Sequence, residues 1–194
     1  MKTKEKIISI ADRLFYENGF EHTSFADIAA AVNISRGNFY YHFKTKDDIL
    51  NAVIDLRKQN TQALLQQWEA QSDAPIDRIR SYINIVATNK SAIKEYGCPV
   101  GTLCTELSKL NHIAEQAAAT LFTLFQTWLA RQFCAMGFKN NTDFLALHVL
   151  GWSQGVATLF NTFKNEAYLK QELEQMNKWL SDLSRTLPTH KEIH

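Results

Sequence analysis

Residues 24–46, SFADIAAAVNISRGNFYYHFKTK, decide the fold of the N-terminal part of this chain. Ser24 stands before an apolar run and Asp27 follows three positions later, which is the spacing of a capping box at a helix start. Asn33 tolerates a positive φ, and Ser35 is a good N-cap for a second, very short helix. The stretch therefore predicts two short helices joined by a tight turn.

This pattern is typical of a helix-turn-helix, in which the second helix enters the major groove of double-stranded DNA. Small Ala29 and Ala30 would let the two helices approach closely, and Ile34 would place an apolar side chain beneath the turn. Basic residues occur without any acid between residues 34 and 46. A local cluster of this kind is compatible with phosphate contacts, although the net charge of the whole chain is only +1.

The remainder of the chain is dominated by apolar residues spaced three and four apart, and it has only 7 Gly and 3 Pro. Such spacing predicts an all-helical protein. A first helix would end at Asn18-Gly19, because Gly suits a left-handed helix end. The further predicted helices are one from Thr45 to about Trp68, one with its inner stripe from Ile76 to Val86, a continuous segment over 103–136, and two final helices over 142–163 and 165–186.

The composition also limits the class of protein. Hydrophobic residues make up 45% and charged residues 21%, as in ordinary globular proteins. The N-terminus lacks the apolar core of a signal peptide, and no apolar stretch approaches the roughly 18 residues of a membrane span. Three cysteines without paired metal spacing favour a cytoplasmic protein with reduced thiols. Nucleotide-binding and hydrolase motifs are missing, so we expect no enzyme, no cofactor and no metal site.

Residues 7–50 resemble the N-terminal domain of the TetR/AcrR family of transcriptional regulators. The resemblance is carried by F-x-x-x-G-F from Phe15 to Phe20, by T-S-x-x-D-I-A from Thr23 to Ala29, and by GNFYYHFKTKDDIL from Gly37 to Leu50. It implies an N-terminal three-helix DNA-binding domain over 1–47. A larger helical domain for ligand binding and dimerisation would follow over 48–194.

The resemblance also implies roles for single residues. Ser24 and Asn38 would touch phosphates, and Arg36 would face the bases. The positions that clamp the DNA backbone in the family are occupied by Tyr40, Tyr41, His42 and Lys46, and Ser35 at the start of the reading helix completes the predicted DNA-binding set. Ala26 departs from the family, since several members carry a longer polar side chain there.

Less specific interpretations also fit some of these residues. Arg36 would in that case contact only the DNA backbone, and Tyr40 would lie partly in the core. His42 would bond to a helix end. Phe39 and Phe43 are predicted to be core residues.

The second domain is less readable from the sequence. Its many aromatic residues suit an apolar or aromatic effector, although aromatics at helical spacing are also ordinary core. The candidate pocket residues are Cys104, Phe122, Phe125, Trp152 and Gln154, with Glu106, His112 and His148 as further polar groups. The candidate dimer-interface residues, which would otherwise pack within one subunit, are Leu150, Gly155, Leu159, Trp179 and Leu183.

The resemblance to the TetR/AcrR family implies a homodimeric repressor that binds a palindromic operator and is released by a small-molecule effector. One alternative is a sensor of oxidants or electrophiles with the same fold, in which Cys98 and Cys104 flank a turn that leads into a helix. The other alternative, from a different class, is a helical adaptor that does not bind DNA. It leaves the polar and aromatic cluster of residues 36–46 unexplained.

Overall fold

The computed structural model describes residues 2–187, apart from the side chain of Arg36. Within that range the regular elements are helices and none is a strand, so the predicted all-α fold is confirmed. The helices are α1 (Thr3–Asn18), α2 (Phe25–Val32), α3 (Arg36–His42), α4 (Lys46–Gln71), α5 (Pro75–Ile83), α6 (Ile85–Thr88), α7 (Lys90–Tyr96), α8 (Pro99–Lys109), α9 (Glu115–Met136), α10 (Thr142–Phe163) and α11 (Glu166–Arg185).

Local hydrogen bonds set the bounds of the helix-turn-helix. The hydroxyl of Ser24 accepts from the backbone N–H of Asp27 at 3.1 Å, and the Asp27 carboxylate accepts from the N–H of Ser24 at 2.8 Å. Hydrogen bonds to the carboxylate from the Ser24 hydroxyl and from the Ser24 backbone N–H lower the pKa of Asp27. Asn33 has φ 55°, and Ser35 accepts from the N–H of Asn38 at 3.3 Å. The predicted start, turn and restart are therefore confirmed.

The start of α4 repeats the same reciprocal arrangement. The N–H of Asp48 donates to the Thr45 hydroxyl, and the N–H of Thr45 donates to the Asp48 carboxylate, both at 3.0 Å. Hydrogen bonds to the carboxylate from the Thr45 backbone N–H and from the Thr45 hydroxyl lower the pKa of Asp48. The carboxylates of Asp27 and Asp48 thus each stabilise the first turn of a helix in their charged form.

Two predicted helices are interrupted. The segment over 103–136 is not continuous, because Asn111 adopts φ 49° and the N–H of Ala114 donates to Nδ1 of His112 at 3.1 Å. The helix predicted around Ile76 to Val86 ends at Ile83, and α6 and α7 follow it. Neither break carries Gly or Pro, which is why the apolar periodicity extends through both.

A third correction concerns the residues between Cys98 and Cys104. The predicted turn at 99–101 is the first turn of α8, since Pro99 is the first helical residue. Pro suits that position because the missing N–H has no partner at a helix start. Cys104 therefore lies within the helix.

The chain divides into two compact units. The first comprises the described residues up to Ala63 together with Pro99–Phe122, and the second comprises Leu64–Cys98 together with the described residues from Thr123 onward. Packing thus groups α8 and the start of α9 with the N-terminal helices. The division into domains over 1–47 and 48–194 stays a prediction.

The first unit has one apolar core. It is formed by α1 to α4 on one side and by α8, the 110–114 connection and α9 on the other. Its fully buried members include Ile7, Ala11, Ile28, Val32, Phe39, Ile49, Leu50, Leu107 and Ala118. Burying each large apolar side chain contributes about 2–3 kcal/mol, so α8 is an integral part of this unit.

In the second unit, α10 packs its inner face against α7 and α11 through Val156 and Phe160. A separate aromatic group joins Trp68, Tyr82 and Trp128, with ring centroids 5.6 Å apart for Trp68 and Trp128. The Tyr82 hydroxyl lies 2.9 Å from the hydroxyl of Ser153. Burial raises the pKa of Tyr82, so this hydroxyl stays neutral at physiological pH.

Candidate nucleic-acid interface

The reading helix α3 has a buried face and an open face. Phe39 is fully buried and its ring meets that of Phe25 at a centroid distance of 4.7 Å. Phe43, just after the helix, is also buried, so both predicted core residues are confirmed. On the opposite face Tyr40 is 49% and Tyr41 is 79% exposed. Intramolecular packing therefore accounts for Phe39 and Phe43, but it leaves Tyr41 and part of Tyr40 facing solvent.

Tyr40 and Tyr41 differ in the side chains that their rings contact within the chain. The Tyr40 ring lies 5.1 Å from that of Phe25, so its inner edge contacts the core while the outer part faces solvent. The Tyr41 ring lies 5.2 Å from the ring of His42, its neighbour in sequence. Asn38 is exposed on the same helix. The interpretation of Tyr40 as partly core agrees with this geometry, whereas its contact with DNA stays a prediction.

Ser24 and Ser35 are exposed residues at the starts of α2 and α3. Each hydroxyl oxygen accepts a hydrogen bond from its helix. A hydroxyl that accepts in this way still has its own O–H to donate. The Ser35 hydroxyl is therefore able to donate to a phosphate oxygen without giving up its structural bond. The Ser24 hydroxyl also bonds to the Asp27 carboxylate, so a phosphate contact there would compete with that bond.

Lys46 is placed differently from the other predicted DNA-binding residues. Its ammonium group donates to the carbonyl of Phe20 at 3.0 Å and lies 4.1 Å above the centre of the Phe20 ring. It is half-buried and serves an intramolecular contact here. The phosphate contact of Lys46 stays a prediction. The base contacts of Arg36 also stay a prediction, since its side chain lies outside the described part of the structure.

Two further lysines lie beside the end of α3. The ammonium of Lys44 donates to the carbonyl of Tyr40, and that of Lys4 lies 5.5 Å from the centre of the Phe43 ring. The basic cluster in the sequence signalled Lys44. Nothing in the sequence signalled Lys4, because its proximity to Phe43 comes from the packing of α1.

The polar residues considered for ligand binding on α8 and after it have other partners. Both carboxylate oxygens of Glu106 accept backbone N–H bonds, from Phe20 and Glu21, each at 2.9 Å. Nε2 of His112 lies 3.5 Å from a carboxylate oxygen of Asp47. Glu106 and His112 therefore contact the region around the helix-turn-helix.

Two family descriptions match the chain. The one described as "Bacterial regulatory proteins, tetR family" matches residues 7–53, and "Transcriptional regulator LmrA/YxaF-like, C-terminal domain" matches residues 75–175. The chain belongs to the tetR family of bacterial regulatory proteins. It is accordingly a transcriptional regulator and not an enzyme, and its helix-turn-helix is a DNA-binding domain.

Curated relatives support the same conclusion. An HTH-type transcriptional regulator from the lacX 3' region of Lactococcus lactis is 32% identical over 151 residues, which cover 76% of this chain and 77% of that protein. The HTH-type transcriptional regulator QacR of Staphylococcus aureus is 31% identical over 121 residues, covering 60% of this chain and 61% of that protein. The similarity therefore extends beyond the DNA-binding helices.

Solved structures share the fold over most of this tetR-family regulator. A TetR transcriptional regulator from Legionella pneumophila superposes with a TM-score of 0.81 at 25% identity, over 92% of this chain and 97% of that one. A TetR-family regulator from Cytophaga hutchinsonii gives 0.80 at 18% identity, over 93% and 94%. At 18% identity the second match shows the fold alone.

The structure separates the residues predicted to line the regulator's ligand pocket. Cys104 and Phe122 belong to the first compact unit, and Phe125, Trp152 and Gln154 belong to the second. The ring of Phe125 lies 5.3 Å from that of Tyr82, and the Gln154 amide donates to Ser153 at 3.3 Å. Phe125 and Gln154 thus approach the same buried Tyr82–Ser153 pair, while the indole N–H of Trp152 donates to Glu172 at 3.2 Å.

The predicted dimer residues lie on α10 and α11 of the second unit. Leu150 is buried within its own chain, whereas Gly155 and Leu159 are exposed. Trp179 and Leu183 are half-buried, and the Trp179 ring lies 4.7 Å from that of His148. Leu150 therefore belongs to the intramolecular core, and the others are accessible to a partner.

Several further features limit the chemistry. Cys98 and Cys104 lie in different compact units, and both are half-buried, so the sensor hypothesis stays a prediction. Among residues 2–187 no group of three His, Cys, Asp or Glu side chains is arranged to hold a metal ion. None of the described helices combines the length and the apolar character needed to cross a membrane.

Proposed function

We propose that this regulator is a ligand-responsive repressor that binds a palindromic operator as a homodimer. The observation that carries the DNA-binding part is the open face of α3, where Tyr41 is 79% exposed on a helix whose opposite face is fixed by buried Phe39. A rigid helix with exposed aromatic and polar side chains suits the major groove. Such a protein would act in the cytoplasm, where it reaches chromosomal DNA.

The proposed contacts divide into phosphate and base contacts. Ser24, Ser35 and Asn38 would donate to phosphates beside the start of each helix. Tyr40 and Tyr41 would contact sugars and phosphates through their hydroxyls, or thymine methyl groups through their rings. Arg36 would read a base as a bidentate donor to guanine. Repression is supported by a relative, the HTH-type transcriptional repressor DhaR of a Mycobacterium species, 24% identical over 131 residues.

The homodimer is supported by an exposed stripe on α10. Residues spaced three or four apart on this helix are apolar or glycine and face solvent: Phe144, Leu147, Gly151, Gly155, Leu159 and Phe163. Monomeric proteins rarely expose a continuous apolar surface of this kind. Around Gly151 and Gly155 the space for a Cβ is open, so a helix of a second copy would be able to approach closely.

The effector would be an apolar or aromatic small molecule bound near Tyr82. The rings of Trp68 and Phe125 lie beside this residue, and its hydroxyl, the Ser153 hydroxyl and the Gln154 amide form a short polar row. Apolar walls with a few fixed polar groups are typical of ligand sites. An effector that favours a different spacing of the two reading helices would weaken DNA binding, and by linkage DNA would weaken effector binding equally.

A selection from genomic fragments with purified protein tests the proposal. The native protein should enrich a palindromic sequence at about 50 mM salt, where phosphate contacts are least screened. Tyr41→Ala should lose most of this binding, because its ring supports no core contact. Tyr96→Ala, which alters an exposed tyrosine in the second unit, is the matched control and should bind as the native protein does.

Two outcomes contradict the proposal. One is that native protein, refolded without any bound ligand, enriches no sequence. The other is that Tyr41→Ala and Tyr96→Ala bind the enriched fragment equally well, which would place the DNA contact elsewhere.

A further inference from the structure

The peptide group between Phe20 and Glu21 is held from its two sides by opposite charges. Its N–H, that of Glu21, donates to one carboxylate oxygen of Glu106 at 2.9 Å, and its carbonyl, that of Phe20, accepts from the ammonium of Lys46 at 3.0 Å. The other Glu106 oxygen accepts from the N–H of Phe20 at 2.9 Å. A carboxylate, a peptide and an ammonium thus form one row in which each hydrogen bond polarises the next.

This row, which we call the 20–46–106 bridge, joins the two ends of the helix-turn-helix. Phe20 and Glu21 precede α2, and Lys46 is the first residue of α4, directly after α3 and its connection. Thr23 links the bridge to the start of α2, since its hydroxyl donates to the carbonyl of Gly19 at 2.7 Å and its N–H to that of Phe20 at 3.2 Å. The Lys46–Phe20 hydrogen bond therefore ties the segment before α2 to the start of α4, and Glu106 anchors the same segment to α8.

The local backbone allows this contact. Gly19 has φ 88°, and a Cβ at that position would lie 3.0 Å from a carboxylate oxygen of Glu106. His112 adds support from the same side, with its ring 5.0 Å from that of Phe20 and Nε2 3.5 Å from Asp47. A residue with a side chain at position 19 would push Glu106 away from the two N–H groups.

We infer that Glu106 is a positioning residue for operator binding, an inference that rests on the proposed DNA-binding function. Glu106 acts through the 20–46–106 bridge, which sets where the exposed face of α3 stands relative to α2 and α4. Because α8 follows Cys98 directly in the chain, a displacement of α8 would reach the reading helix at this carboxylate. Glu106 thus supplies a defined point at which regulation can act.

The test compares Glu106→Gln with Asp55→Asn, which removes the same charge from an exposed site in the same unit. Gln keeps the length of Glu, but it replaces one acceptor oxygen with an N–H₂ group that faces a backbone N–H. Affinity is measured by fluorescence anisotropy for the fragment that the native protein enriches and for a random duplex of equal length.

The specific affinity of Glu106→Gln should fall roughly tenfold, as expected for the loss of one charge-assisted hydrogen bond. Its affinity for random DNA should change less than about twofold, because phosphate contacts supply non-specific binding and are retained. Partial unfolding would instead lower both affinities by the same factor. The Asp55→Asn control should leave the ratio of the two affinities at the native value.

Glu106→Asp provides a second variant if the Gln protein does not fold. It keeps the charge, but its side chain is one methylene too short to reach both N–H groups, so the ratio should again fall. An unchanged ratio in a folded Glu106 variant overturns the inference while the native protein still binds its operator. Failure of the native protein to select any fragment overturns instead the proposed function.

Discussion

Replacing Gly19 with alanine should destabilise the first compact unit for two separable reasons. Gly19 combines φ 88° with ψ 155°, a backbone region that is essentially restricted to glycine and costs other residues about 1–3 kcal/mol. The smaller conformational entropy of an unfolded alanine chain offsets about 0.4–1 kcal/mol of this cost. Strain alone therefore predicts a net loss of about 1–2 kcal/mol.

The second reason is the contact with Glu106. The new Cβ would lie 3.0 Å from one carboxylate oxygen and 3.4 Å from the other, so the carboxylate must move and weaken its bonds to Phe20 and Glu21. Each bond to a charged group contributes about 1.5–3 kcal/mol when well formed. Because Glu106 is half-exposed, we assign about 1 kcal/mol to this part. The expected total for Gly19→Ala is a loss of about 2–3 kcal/mol.

Urea unfolding at one fixed protein concentration measures both parts, since a dimer makes stability depend on concentration. In a Glu106→Ala background only the strain should remain, so the effect of Gly19→Ala should shrink by about 1 kcal/mol. Gly37→Ala is the matched control, because a Cβ there meets open space within a helix and should stabilise by about 0.5–1 kcal/mol. A change below about 0.5 kcal/mol for Gly19→Ala, or full additivity with Glu106→Ala, would refute the reasoning.

Three other outcomes are expected. Arg57→Leu should lower the free energy of unfolding by about 3 kcal/mol, because Arg57 is buried and bonds to Asp12 at 2.6 Å; urea denaturation that shows less than about 1 kcal/mol contradicts this. Phe163→Glu should give a monomer by light scattering and weaken operator binding roughly 100-fold or more, whereas a dimer of unchanged affinity would rule out the proposed interface. Bonds with Ser24 lower the pKa of Asp27 below its ordinary value of 3.8, so its stabilisation is present above that pH and lost as the pH falls through the lowered pKa. The difference in urea midpoint between native protein and Asp27→Asn should therefore be present at pH 6 and shrink below about pH 3.8; a difference that persists there would disprove the role of the charge.

The helix-turn-helix was predictable because its bounds depend on neighbours in sequence. Ser24 and Asp27, or Thr45 and Asp48, interact over three residues, and such pairs are visible in the sequence itself. The breaks after Ile83 and at Asn111 were not predictable from apolar periodicity. Asn84 is the C-cap of α5, Asn111 adopts a positive φ after α8, and the His112 side chain accepts the N–H of Ala114 just before α9. None of these residues is the Gly or Pro that usually marks such a point.

In the candidate site, too, the sequence predicted local features but not contacts between residues far apart in the chain. The outward position of Tyr41 and the inward position of Phe39 follow from helical spacing. The contact of Glu106 with Phe20 spans 86 residues, and only the folded chain brings the two together. For the same reason, sequence patterns did not separate Lys46, which is engaged with Phe20, from the exposed residues of α3.

The first compact unit is assembled from two stretches of chain that are not consecutive, which matters during synthesis on the ribosome. Its core needs Leu103, Leu107 and Ala118, yet Leu64–Cys98 must be made before them. At a synthesis rate of about 5–20 residues per second, the N-terminal helices leave the ribosome several seconds before the core residues of α8 and α9. A nascent chain that stops after α4 lacks these buried apolar residues, so a truncated DNA-binding fragment of this regulator should be a substrate for chaperones and proteases.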